Sequence, residues 1–327
     1  MSSLSRESFD PSAILSRIDG GWIHDRFGDS WTRFGKGSPQ IEELAYRSPA
    51  PHPFQIGPLE SPTGRARFVA SVETAKAYIR EGDIYQVNLT HPLRGSFEGS
   101  TRGLFVALAE AARPWHGAYL EVPRSDSCEA MSIASVSPEL FLEFDPHTRL
   151  VRARPMKGTI ETTGASDSPE VLERSEKDRA ELNMIIDLMR NDLGRACRLG
   201  SVRVEEARSI ETHTNADGQG LLQATGSVTG VLREGSSPLD LLWSAFPPGS
   251  VTGAPKIRAM QIIRELEAEP RRFYCGAIGF LGDDGRMMLN VAIRTATISG
   301  NRIEYPVGAG IVADSDPEAE WNETIAK

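Results

Sequence analysis

Between Trp115 and Pro155 four strand-patterned segments, WHGAYLEV, AMSIASV, LFLEF and RLVRARP, follow one another with only turn residues between them. A run of strands of this kind, followed by helices, argues for a mixed α+β chain rather than strict βαβ alternation. The helices announce themselves by spacing. Phe68, Val72, Ala75 and Ile79 recur at helical intervals from near Ala66 to a Gly82-Asp83 stop. IYQVNLTHPL then reads as a strand, and LFVALAEAARP as a helix that ends at Pro114. Ser168-Pro169-Glu170 sets serine at an N-cap, proline at the first helical position and acid in the first turn, opening a helix to about Arg190. A second long helix is expected from Ala254-Pro255 to about Glu267. YCGAIGFL, MMLNVAIRTATI and RIEYPVGAGIV return to strands, and DPEAEWNETIAK to a helix. Residues 1–63, rich in Gly, Pro and Ser, read as short edge strands and loops packed on a main domain of residues 64–327.

Composition bounds the function. With 39% hydrophobic and 25% charged residues the 327-residue chain is that of an ordinary globular protein. A net charge of −9 argues against a nucleic-acid partner, which would want a basic stripe. No polybasic segment suggests a membrane surface, no apolar run approaches 18 residues, and the N-terminus lacks a signal-peptide pattern. The expectation is a cytoplasmic protein. Cys128, Cys197 and Cys275 form no CxxC pair and read as reduced, buried small residues rather than a disulfide or zinc site.

Several constellations could carry chemistry. Asp178 and Glu181 stand three apart on the helix face continued by Ile185 and Leu188, so their carboxylates point where the helix is otherwise apolar. Glu320 and Glu323 repeat the arrangement near the C-terminus. Two such pairs facing one cavity would suit a hard cation held through oxygens and water, while a solvated turn explains either pair alone. PPGSVTGAPKIRAM delivers the chain into a helix N-terminus, which favours an anion, though a tight turn serves equally well. VGAGIV supplies a second Gly-rich turn. Arg294, in the otherwise apolar NVAIRTATI, needs either a substrate carboxylate or an internal acid. RPMKGT puts Lys157 at the end of a strand before a glycine turn. In a dry cleft near a cation its amine could act as a nucleophile; otherwise it is a surface cation.

Taken together, GDIYQVNL, SPELFLEF, RPMKGT, EKDRAELNMIIDLMRNDLGR, PPGSVTGAPKIRAM, YCGAIGF, AIRTA and GAGIVADSDPEAEWNET resemble the chorismate-binding enzymes, in the family's order, over about residues 64–327. That family includes anthranilate synthase component I, aminodeoxychorismate synthase component I and the isochorismate and salicylate synthases. The resemblance implies a large α/β sandwich of two antiparallel sheets flanked by helices, with the active site between its halves. It implies Mg2+ held directly by Glu181 and Glu323, with Asp178 and Glu320 acting through water. Tyr274, Arg294 and the backbone at Gly308 match positions that hold a chorismate carboxylate. Gln86, Thr159 and Ser250 match substrate-facing positions, and Lys327 a cation beside the metal-bound carboxylate. Glu139 matches the general acid that protonates the departing 4-hydroxyl, a role that requires a proton retained near neutral pH.

Two positions separate the branches. Isochorismate and salicylate synthases resemble one another in a water-activating lysine where this chain has Gln86. Anthranilate synthases typically carry alanine where Lys157 stands. The resemblance therefore implies 4-amination of chorismate by ammonia, as in aminodeoxychorismate synthase component I, leading toward 4-aminobenzoate and folate. A separate glutamine amidotransferase subunit would supply the ammonia. The alternatives are 2-amination, as in anthranilate synthase component I, and a non-catalytic chorismate-binding regulatory subunit. Three departures stand out. Gln223 occupies a position where the family often has histidine, HTNADGQG is unusually polar for its strand, and no Leu-Leu-Glu-Ser element precedes the main domain, so tryptophan feedback is not expected.

Overall fold

The computed structural model describes residues 13–25, 30–35, 53–125, 129–162, 176–214 and 220–326. Strands β1 (Gly20–Asp25) and β2 (Ser30–Gly35) form an antiparallel pair of their own, and β3 (Phe54–Ile56) joins the main body. Next come α1 (Arg65–Arg80), β4 (Gln86–Gly99), α2 (Thr101–Ala112), β5 (Ala118–Val122), β6 (Met131–Ser135), β7 (Leu140–Phe144), β8 (Leu150–Arg154) and β9 (Met156–Thr162). The long α3 (Glu176–Gly194) leads to β10 (Arg203–Thr214), β11 (Gly220–Val231), α4 (Pro238–Ala245), the short β12 (Gly253–Ala254) and α5 (Lys256–Leu266). The chain continues through β13 (Ala277–Leu281), β14 (Met287–Val291), β15 (Thr295–Ser299), β16 (Arg302–Ile311) and α6 (Pro317–Ala326).

Two seven-stranded sheets result. One runs β10-β11-β8-β7-β14-β13 with β9 also on β11, and the other runs β12-β4-β16-β15-β6-β5 with β3 also on β4. Every pairing in them is antiparallel. Helices cover both sheets. Leu182, Ile185, Ile186, Met189 and Leu193 of α3, with Leu241 and Ala245 of α4, pack on Phe141, Leu142, Val151, Ala153, Leu222, Ala224 and Val228 of the first. Phe68, Val72 and Ala75 of α1 and Ala259 and Ile262 of α5 pack on Val87, Leu89, Ala309 and Ile311 of the second. Helix α1 thus buries the residues its spacing predicts. The sandwich of antiparallel sheets flanked by helices is the architecture the resemblance implied.

Four expectations need correction or addition. MMLNVAIRTATI is two strands, because the chain leaves β14 in one sheet and enters β15 in the other. Arg294 stands at that crossing with φ 49, a left-handed conformation that ends a strand. Lys157 is not at a strand end: β9 continues to Thr162, and Gly158 at φ 77 is the extra residue of a bulge between the Thr159–Gln223 and Lys157–Ala224 pairs. Strand β10 and helix α4 were not read from the sequence at all. Residues 53–63 belong to the second sheet, through β3 and a Glu60–Arg94 bridge. The helix start at Ser168, the polar segment HTNADGQG, Cys128 and Lys327 lie wholly or largely outside the described residues. Cys197 and Cys275 are buried and free. No helix among the described residues is long and apolar enough to cross a membrane.

Candidate active site

Where β9, β4, β16 and α3 meet, several of the singled-out side chains come together. Lys157 Nζ lies 3.8 Å from Glu181 Oε2, both side chains largely buried. Gln86, at the start of β4 and 2% exposed, donates to the same oxygen from Nε2 at 3.5 Å. Its Oε1 is buried with no hydrogen-bond partner among the described residues, a cost that an entering donor would remove. Gly310 forms the floor: a Cβ there would stand 2.6 Å from Gln86 Nε2 and 3.3 Å from Lys157 Nζ. Only glycine lets the amine and the amide approach the β16 backbone this closely.

Glu139 is held beside this group by its own main chain. The Ser137 hydroxyl donates to Val291 O at 2.6 Å and accepts from Glu139 N–H at 3.2 Å, and Glu139 O accepts from Val291 N–H at 3.0 Å. Glu139 is 4% exposed, and burial pushes its pKa up to about 7. The Ser250 hydroxyl, the Lys157 cation and the Met156 N–H oppose that shift by favouring the anion. A carboxyl poised there keeps a proton at neutral pH and can give it up, as acid catalysis requires.

A third group surrounds Tyr274. Its burial pushes the phenol well above its ordinary value, with Cys275, Arg271 and Tyr305 as neighbours. Burial also raises Tyr305, while the nearby Arg294 guanidinium pulls it down. Arg294 and Tyr274 therefore belong to one neighbourhood through Tyr305. Gly308 lies on β16 opposite Thr90, two residues before Gly310. Thr159 is placed by its backbone pairing with Gln223. Gln223 itself is 1% exposed, and its Nε2 has no hydrogen-bond partner among the described residues.

The acids on α6 are positioned by an aromatic stack. His91 of β4 stacks on Trp321 at 4.8 Å, and its Nε2 bonds the Thr324 hydroxyl at 2.9 Å. Burial lowers His91 to about 4, so the ring stays neutral in ordinary buffers. Glu320 is buried and accepts from Ser315 Oγ at 2.6 Å, whereas Glu323 is exposed on the same helix and Asp178 is half-buried on α3. Among the described residues no three acidic, histidine or cysteine side chains gather closely enough to form a closed cation cage. The donors are nevertheless all carboxylates, the chemistry of a hard cation, and magnesium takes only one or two of them, completing its shell with water and substrate oxygens. Sequence reasoning missed one residue here: Lys256, buried behind the Ser250 turn, whose signal was a lysine in the first turn of a helix, where the dipole disfavours a cation.

Known proteins share this arrangement of sheets and helices. Residues 24–327 match the model of a family described as chorismate binding enzyme. Anthranilate synthase component 1 of Aquifex aeolicus is 38% identical over 80% of this chain and 51% of its own length. Aminodeoxychorismate synthase component 1 of Escherichia coli is 39% identical over 80% of this chain and 56% of its own. An aminodeoxychorismate synthase of Streptomyces griseus is 37% identical over 89% of this chain and 40% of its own. The chain thus spans about half the length of these curated relatives. The crystal structure of anthranilate synthase component I from Streptococcus pneumoniae superimposes with a TM-score of 0.77 at 30% identity, over 94% of this chain and 70% of that one. The relatives divide between two named activities, and the chain belongs to the chorismate-binding enzyme family.

Proposed function

We propose that this chain is an aminodeoxychorismate synthase component I, which aminates chorismate at C4 with ammonia to give 4-amino-4-deoxychorismate and water. One observation supports this reading above the others: a lysine and a glutamine, Lys157 and Gln86, converge on one carboxylate oxygen of Glu181 in a buried cleft. The lysine stands where the anthranilate branch carries alanine, and the glutamine where the water-adding branch carries lysine. In the proposed sequence the Lys157 amine adds to C2 of chorismate, both ring double bonds shift toward C4, and the C4–O bond breaks. Glu139 gives its proton to the departing hydroxyl, which leaves as water. Ammonia then bonds to C4, both double bonds shift back, the C2–N bond to Lys157 breaks, and the proton shed by the added ammonia restores Glu139. One ammonia enters and one water leaves, so atoms balance. Arg294 and Tyr274 would hold the substrate's carboxylate, and Gln86 would offer ammonia an acceptor rather than water a base.

Magnesium, held by Glu181 and Glu323 with Asp178 and Glu320 through water, would neutralise a substrate carboxylate. Excess chelator is expected to abolish turnover, and Glu181→Gln to weaken metal and chorismate binding together, measured by calorimetric titration of each; full activity in chelator would overturn the assignment. Glutamine alone should give no product: of the three cysteines, the two among the described residues, Cys197 and Cys275, are buried, and burial raises both thiols, to about 11 and about 12, far from a nucleophilic thiolate. Ammonium salts at alkaline pH should support turnover, and an added amidotransferase subunit should make glutamine effective. The deciding experiment is identification of the product from chorismate, magnesium and an ammonium salt. Anthranilate instead of 4-amino-4-deoxychorismate would establish the rival 2-amination, which the names of several relatives favour.

A further inference from the structure

We propose that Lys256 is a positioning residue, whose ammonium seats the turn that carries Ser250 against Glu139. The proposal rests on the reading of Glu139 as the acid. Lys256 opens α5, yet its side chain turns inward and is only 12% exposed. A cation in the first turn of a helix is opposed by the helix dipole and by burial together, and only saturated hydrogen bonding offsets both. Nζ finds three acceptors: Asp192 Oδ2 of α3 at 2.5 Å, Ala245 O at the end of α4 at 2.7 Å, and Pro247 O at 2.8 Å. An ammonium has three protons to donate, so none is left over. Asp192 is itself 4% exposed on its side chain.

The turn these bonds hold is residues 246–252, and it has three further anchors. Arg271 Nη1 donates to Val251 O at 2.7 Å, Asn88 N–H donates to Thr252 O at 2.9 Å, and β12 pairs with β4 at Val87 and Gln86. Between the anchors, Thr252 Oγ1 closes the turn on Pro248 O at 2.7 Å. Proline has no N–H, so residues 247 and 248 cannot be tied through main-chain donors, and Lys256 supplies the missing tie from outside. Without it the Ala245 and Pro247 carbonyls lose their tie, through Nζ, to Asp192 of α3. Ser250 lies directly beyond, and its hydroxyl is the strongest of the contacts that favour the Glu139 anion, ahead of Lys157 on β9 and the Met156 N–H; the Cys275 thiol is the other titratable neighbour. Released from the turn, Ser250 would leave Glu139 with burial unopposed on that side.

Removing Lys256 alone would strand the buried Asp192 charge and unfold the protein for reasons unrelated to the proposal. The test therefore uses Lys256→Met combined with Asp192→Leu. Glu139 titration is followed by infrared spectroscopy of protein labelled with 13C-glutamate, the band being assigned by its absence in Glu139→Gln. Ser250→Ala should raise the midpoint by about one pH unit, since a hydrogen bond to the anion is lost. The paired variant should show the same rise, and adding Ser250→Ala to it should shift nothing further. A folded paired variant that titrates like the parent, or a combined shift that simply adds, would overturn the proposal. If the paired variant does not fold, Lys256→Gln combined with Asp192→Asn, which leaves no buried charge, is measured in its place, with a smaller rise expected and an unchanged midpoint equally fatal. Because the readout does not depend on turnover, a Glu139→Gln enzyme that still aminates would sink the acid assignment while leaving this test intact.

Discussion

Replacing Lys157 by arginine is expected to lower amination by about 10³-fold or more, roughly 4 kcal/mol of transition-state stabilisation. Arginine keeps a positive charge beside Glu181 but cannot supply a free amine, so it separates attack from charge neutralisation. On the proposed reading Lys157 must be able to turn toward the substrate. At 3.8 Å its ion pair with Glu181 is longer than a hydrogen bond, leaving the nitrogen close to a carboxylate without being locked on it. Turnover with chorismate and an ammonium salt measures the loss, and thermal unfolding checks that the variant folds. Mass spectrometry of the parent enzyme quenched during turnover should reveal a chorismate-derived adduct on the peptide that contains Lys157. An arginine variant with near-normal amination, and no adduct on the parent, would end the covalent step.

Glu139→Gln is expected to cost 4-amination on the order of 10²–10⁴-fold, the usual contribution of a positioned acid. The pH dependence should change with it. Burial lifts Glu139 to about 7, so the acid form is present below that value and is lost as pH rises through it. At constant free ammonia, kcat of the parent should fall above about pH 7, and the residual activity of the glutamine variant should lack that limb. The same shift has a consequence for stability. The folded state binds this proton more tightly than the unfolded chain, whose glutamate titrates near about 4.3. Stability from this group is full below the unfolded value and disappears as pH rises through about 7. Chemical denaturation across that window should show a decline in the parent that Glu139→Gln flattens.

The amphipathic helices were legible because burial and spacing agree. Phe68, Val72 and Ala75 are each at most 2% exposed, as the four-residue and three-residue intervals require. The break at Arg294 was not legible, since apolar and β-branched residues run from Met287 to Ser299 with no Gly or Pro among them while the chain passes between sheets. What ends the strand is the turn after Val291: Ile293 N–H donates back to Val291 O, and Arg294 O accepts from Val136 N–H beside the other sheet. Helix α4 did carry a signal. Ser237 and Asp240 form a reciprocal capping box just before an apolar stretch, with Pro238 at the first turn. The candidate acids and Lys157 could be named from motif order, but their partners could not. Gln86, Gly310 and Glu181 are brought to Lys157 from three separate elements, and no local pattern encodes such a meeting.

Strand β16 lies between β4 and β15, paired with β4 from Val87 to Ser96. During synthesis β4 emerges long before its partner, because the chain must grow from Gly99 to Arg302 before pairing can begin. At about 5–20 residues per second this takes on the order of 10–40 s, during which one whole edge of β4 offers unsatisfied N–H and C=O groups to any passing strand. The second sheet, and with it the floor at Gly310, therefore comes into being last. A ribosome stalled before residue 302 holds a chain with one sheet's strands complete and the other still lacking β16, with its unpaired edge open to aggregation.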